Sequence, residues 1–122
     1  MTDATVRNAD LKQMLSERRR AVEDEVQRRL RHGRADRSSH VGDDLEHSDA
    51  HNQDGLEFSL LQMRAEMLAQ FDEALRGVDA GTYGACRECE GEIAKRRLRA
   101  LPFAVRCHVC EQRREEAQAG AN

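Results

Sequence analysis

Two Cys-x-x-Cys pairs constrain this 122-residue chain more than any other feature. They are Cys86-Arg-Glu-Cys89 and Cys107-His-Val-Cys110, with 17 residues between them. A gap of roughly 15–20 residues between two such pairs is the spacing of a zinc site. A two-residue gap lets a tight knuckle aim both sulfurs at one ion, and two knuckles complete a tetrahedron at about 2.3 Å. Cys86, Cys89, Cys107 and Cys110 are therefore the expected ligands of one structural Zn²⁺. Four thiolates fill the coordination sphere and leave no position for a catalytic water. On Zn²⁺ they leave a net double negative charge, which Arg87, Lys95, Arg96, Arg97 and Arg106 are placed in sequence to offset. His108 reads as a solvent-facing spacer. A thioredoxin-like pair would need a βαβ context that this chain lacks. A thiol switch that releases zinc on oxidation remains compatible with the same residues.

The rest of the chain has little with which to build a broad core. Aromatic residues are 3% of it and charged residues 35%, the balance of a long-helix or coiled-coil protein. One Pro and eight Gly argue against a sandwich with turns every 8–12 residues or so. Zinc then serves to fold a segment too poor in core to fold alone, with apparent binding energies of about 10–16 kcal/mol in such modules. No apolar run approaches the roughly 20 residues that cross a bilayer. The N-terminus lacks the basic start and apolar stretch of a signal peptide. The expected location is the cytoplasm, where thiols stay reduced.

Two helical patterns precede the cysteines. From about Thr5 to Arg31, the residues Leu11, Leu15, Val22, Val26 and Leu30 form one drifting stripe with Met14 beside it. Gly33 stands where that helix would take a left-handed terminating residue. Such a helix is about 40 Å long. The second pattern begins near Leu56, with Asp54 as its cap. Its stripe is Phe58, Leu61, Ala65, Leu68, Phe71, Leu75 and Val78, widened by Leu60, Met63 and Met67. Residues 34–55 show neither period and read as a loop, with a helical turn near Asp43–His47. Two helices joined this way form an antiparallel hairpin. From Asp79 the texture turns to Gly and Thr, and a short helix from Glu111 to about Gln118 follows the cysteines. The expected organisation is a coiled-coil hairpin over 1–80 and a zinc finger with a C-terminal helix over 81–122.

Charge follows this division. Residues 36–57 hold one Arg against seven acids, while residues 1–35 hold nine basic and six acidic groups. The net charge of -3 excludes a simple basic nucleic-acid binder. The acids gather between the helices, where they can act through their field on a metal or a basic loop.

Gly81-Thr-Tyr-Gly-Ala-Cys-Arg-Glu-Cys89, then Ile93, Arg97-Leu98, Ala100-Leu-Pro102 and Cys107-x-x-Cys110 resemble the zinc finger of the DksA/TraR family. Glu57-Phe58-Ser59-Leu60 also looks like the entry to that family's second coiled-coil helix. The resemblance implies a bacterial regulator that binds RNA polymerase directly and makes no sequence-specific contact with DNA. It implies a coiled coil that enters the polymerase secondary channel, and an acidic tip that changes open-complex lifetime. The globular part docks on the channel rim, with Lys95, Arg96, Arg97 and Arg99 as candidate contacts.

Two departures from the family pattern stand out. The family usually places Gly directly after the second cysteine, where this chain has Glu90 and then Gly91, so local strain or a shifted turn is expected. The family's Asp-x-x-Asp-x-Ala tip, counted back from Glu57-Phe58, falls on His47, Ala50 and Asn52. The acting acid then lies among Asp43, Asp44, Glu46 and Asp49, with Asp49 and its neighbour Ala50 favoured.

The fold expected is mainly α, and the chain is expected to be a non-enzymatic monomer. The sequence leaves open whether guanosine tetraphosphate joins at the interface. The alternative is a zinc-ribbon nucleic-acid binder using 95–99 and 113–114, which would bind duplex DNA with steep salt dependence. An enzyme would need an open metal position or a nucleophile–base pair, and the sequence offers neither.

Overall fold

The structure, a computed structural model, describes residues 3–39 and 47–120, with side chains described through residue 33 and again from residue 53. Four helices follow one another: α1 (Asp3–Ser39), α2 (His47–Ala80), α3 (Lys95–Ala100) and α4 (His108–Gly120). Among the described residues, none of these helices is long and apolar enough to cross a membrane.

Both long helices overrun the expected loop of 34–55. α1 continues through Gly33 to Ser39, and α2 starts at His47 rather than near Leu56. A lone Gly inside a helix is about 1 kcal/mol worse than Ala. With no Pro in either stretch, that penalty does not stop propagation once the helix is nucleated. Asp49 and Ala50 consequently lie in the first turn of α2. Asp43, Asp44 and Glu46 lie outside the described residues. At 1.5 Å per residue α1 is about 55 Å long.

The chain forms two compact units, Glu17–Gln70 and a second that joins Met1–Ser16 to Phe71–Asn122. The ends of the hairpin helices thus group with the finger, because Leu11 shares a buried cluster with Cys86, Ile93, Leu98 and Cys110, and Met14 packs on it.

In the unit 17–70 the helices run antiparallel, with Arg29 of α1 3.3 Å from Glu57 of α2 and Arg64 2.9 Å from Glu25. Arg29 also reaches Glu25 at 3.1 Å, so four charges form one continuous network. Burial pushes the Glu25 carboxyl up, but hydrogen bonds and charges from Arg29 and Arg64 outweigh it and hold it below its ordinary range. These residues occupy seam positions that the sequence assigned to apolar side chains alone. Leu30 and Phe58, read as part of the stripes, are exposed. Counted from Glu57, the seam of α2 runs 57, 61, 64, 68, 71, 75, 78. That is a heptad of alternating threes and fours carrying Glu and Arg at two of its places.

α2 ends in a Schellman turn. Gly81 takes φ 78, its N–H donates to Val78 O at 3.1 Å, and Thr82 N–H donates to Gly77 O at 2.8 Å. This exit sends the chain directly into the first cysteine knuckle.

Candidate metal centre

The first knuckle is a narrow ribbon. Ala85 and Glu92 form an antiparallel bridge, Ile93 N–H donates to Gly84 O at 2.7 Å, and Cys86 N–H donates to Gly91 O at 2.8 Å. The turn between its arms closes through Glu90 N–H on Cys86 O at 3.0 Å. Glu90 has φ 63, the one non-glycine with positive φ among the described residues. The strain expected at this family departure is therefore present. The backbone kept the left-handed turn and put an L side chain in it.

Gly84, at φ 84, is needed twice. Its backbone is left-handed, and a Cβ there would stand 3.0 Å from Arg7 Nη2 and 3.3 Å from Leu98 Cδ1.

The second knuckle is joined to the first by Arg87 N–H on Val105 O at 2.8 Å. Between the knuckles, α3 buries Leu98, and Leu101-Pro102 ends it. Tyr83 donates its hydroxyl to Pro102 O at 2.8 Å, and Phe103 meets Phe71 edge-on with ring centres 4.7 Å apart. Cys107 closes directly onto α4 through Glu111 N–H at 2.9 Å, so that helix begins at His108, three residues before the expected Glu111. His108 is exposed, as a spacer should be.

All four cysteines come together. Their sulfurs lie within 4.8 Å of one another, and Cys89 Sγ is 3.9 Å from Cys107 Sγ. Four sulfurs on one tetrahedral ion at 2.3 Å would be about 3.8 Å apart, so the donor set fits a single Zn²⁺. The site is shielded unevenly: Cys86 and Cys110 are buried, Cys89 is exposed and Cys107 is half-buried. Backbone hydrogen bonds from Cys89 and Cys107 lower the Cys86 thiol to about 6, favouring the thiolate a metal needs. Hydrogen bonding with Cys107, together with burial, pushes Cys110 up to about 12.

The cations near the cluster divide into two sets. Lys95 donates to Asp10 at 2.6 Å, and this bond and charge hold the Asp10 carboxyl below its ordinary value. Arg97 Nε donates to the Arg106 carbonyl at 3.1 Å. Arg106 lies 3.3 Å from Glu88 and 3.8 Å from Glu111. Arg97 and Arg106 thus brace the finger itself and Lys95 ties it to α1, while Arg96 and Arg99 are exposed. Arg7, which donates into the first knuckle from α1, gave no local sign in the sequence, since its partners lie 77 and 86 residues away.

A helical hairpin whose ends complete a compact four-cysteine finger defines a class of small zinc-finger proteins. Residues 81–116 match the prokaryotic dksA/traR C4-type zinc finger. The chain is 27% identical over 115 residues to the RNA polymerase-binding transcription factor DksA of Escherichia coli, an alignment covering 92% of this chain and 76% of that protein. The protein of the same name from Salmonella typhimurium is 28% identical over 112 residues, 89% of this chain and 74% of that one. An uncharacterized protein of Aquifex aeolicus is 35% identical over 54 residues, 44% of this chain and 37% of its own length. In three dimensions the transcription factor DksA2 of Pseudomonas aeruginosa superposes with a TM-score of 0.81 at 23% identity, over 93% of this chain and 87% of that one. Residues 81–116 thus carry the four-cysteine finger of the dksA/traR type, and most of the chain is similar in sequence to DksA proteins.

Proposed function

We propose that this protein regulates transcription by binding RNA polymerase directly, with the helical hairpin inserted into the secondary channel and the finger seated on its rim. What carries the reading is the near full-length similarity to proteins named RNA polymerase-binding transcription factor DksA, joined to a hairpin and a four-cysteine finger in one chain. The zinc is structural: when bound it crosslinks two knuckles and supplies no reaction. The protein works as a cytoplasmic monomer, without catalysis and without sequence-specific contact with DNA.

The acidic segment supports a role for the hairpin's turn. Asp49 and Ala50 open α2, and Asp43, Asp44 and Glu46 stand between the helices in sequence. Acids there act on a metal-bearing or basic channel through their field. Of the four candidate contacts on the finger, Arg96 and Arg99 are the exposed ones and would meet polymerase. The nucleic-acid reading loses Lys95 and Arg97, which are engaged within the protein.

The test is the lifetime of open complexes between RNA polymerase and a ribosomal RNA promoter, with and without the zinc-loaded protein. A shortened lifetime is expected. Asp49→Asn should keep polymerase binding and weaken the effect, and repeating the assay with guanosine tetraphosphate shows whether that nucleotide joins at the interface. Failure to bind polymerase would overturn the reading.

A further inference from the structure

The first cysteine knuckle has little backbone pairing of its own. Its arms, residues 84–86 and 91–93, share the single bridge described above, and its turn holds the left-handed Glu90. A two-stranded ribbon of this size is marginal in water. At its open end, one guanidinium reaches both arms. Arg7 Nη2 donates to Ile93 O at 2.6 Å and lies 3.4 Å from Gly84 O. Arg7 Nε is 3.9 Å from the Glu92 carboxylate, and its side chain is only 16% exposed. One helical turn on, Leu11 lies in the same buried cluster as Cys86 and Cys110.

We propose that Arg7 is a positioning residue for the metal centre. By bridging the arms of the first knuckle, it holds Cys86 and Cys89 in the register that a single tetrahedral ion requires. The inference rests on reading the four cysteines as one metal site. An arginine suits the task because its planar fork presents several donors in fixed directions, whereas a lysine ammonium is a point charge. Gly84 is part of the arrangement, since a side chain there would displace the guanidinium. Groups that orient metal ligands from outside the coordination sphere typically change affinity by about 10–100-fold when removed.

The experiment uses the full chain and two metals. Zinc affinity is measured by competition with a chromogenic chelator, and Co²⁺ reports geometry through its d–d absorption. Arg7→Ala should lose about 10–100-fold in zinc affinity and shift or broaden the Co²⁺ bands, with Arg7→Lys falling between it and the parent. Asp10→Ala, which removes a different link between α1 and the finger, should keep the parent spectrum. If Arg7→Ala binds zinc within about twofold of the parent and shows the same bands, well short of that range, the proposal fails. It also fails if Asp10→Ala reproduces both changes, because Arg7 would then be one anchor among several. Should Arg7→Ala not be recovered folded, Arg7→Lys decides by the same two readouts. A parent protein without a four-thiolate Co²⁺ spectrum would overturn the metal reading itself, a result distinguishable from equal binding by parent and variant.

Discussion

Replacing Glu90 by Gly should strengthen the finger. Glu90 is held at φ 63 between Cys89 and Gly91, a conformation that costs an L residue about 1–2 kcal/mol and glycine almost nothing. Its side chain is exposed and, among the described residues, makes no ion pair, so truncation removes no stabilising contact. It also removes one negative charge beside a cluster of four thiolates. Glycine's greater freedom in the unfolded chain takes back part of the gain. The net expectation is about 1 kcal/mol in favour of the variant, roughly a fivefold tighter zinc affinity and a rise of about 3–6 °C in the melting temperature of the zinc-loaded protein. Competition with a chromogenic chelator and thermal melts followed at 222 nm read the two quantities. Glu90→Gln and Glu90→Ala are the controls: the first removes the charge and the second the carboxylate arm, while both keep Cβ and hence the strain. Glu90→Asn should fall between, since Asn tolerates the left-handed region. If glycine gains nothing, or if glutamine gains as much, the strain argument is wrong.

The remaining expectations concern other parts of the same framework. Gly84→Ala should destabilise the finger by more than about 2 kcal/mol, combining a disfavoured φ with a 3.0 Å approach to Arg7, and chemical denaturation with zinc present measures it. Phe71→Ala, at a position only 2% exposed and against the Phe103 ring, should cost about 3–5 kcal/mol by the same method. The seam network should respond to acid in a defined direction. Glu25 has a lowered value in the fold, so its contribution is fully present above the unfolded value near 4.5 and is lost as pH falls through the folded one. Glu25→Gln should flatten the stability curve in that acidic range, and high salt should weaken the network in the parent. Chelation of zinc should unfold residues 81–116 while the 17–70 hairpin keeps its helical signal, which hydrogen exchange resolves residue by residue.

The metal centre was legible from spacing alone, because ligand geometry is local: two knuckles and a gap leave little freedom. Glu90 stood out only through the resemblance, because the family usually places Gly directly after the second cysteine. The helix ends were not legible. Gly33 and Gly55 look like punctuation, yet each weighs about 1 kcal/mol against propagation along helices of 37 and 34 residues. The charged seam was hidden because Glu and Arg on a helix more often stand on its solvated face. The heptad count through Glu57, Leu61, Arg64 and Leu68 was the signal that could have found it. Arg7 offered no signal of either kind, since nothing near it in sequence refers to Gly84 or Ile93.

The separation between Arg7 and Ile93 also has a temporal side. During synthesis at about 5–20 residues per second, the first turns of α1 leave the ribosome roughly 4–17 s before the carbonyls they will hold. For most of that interval Leu11 has none of its finger partners, Cys86, Ile93, Leu98 and Cys110. A nascent chain stalled before the second cysteine pair would present that apolar surface to chaperones and proteases, so completing the finger is also what ends this chain's exposure to cellular quality control.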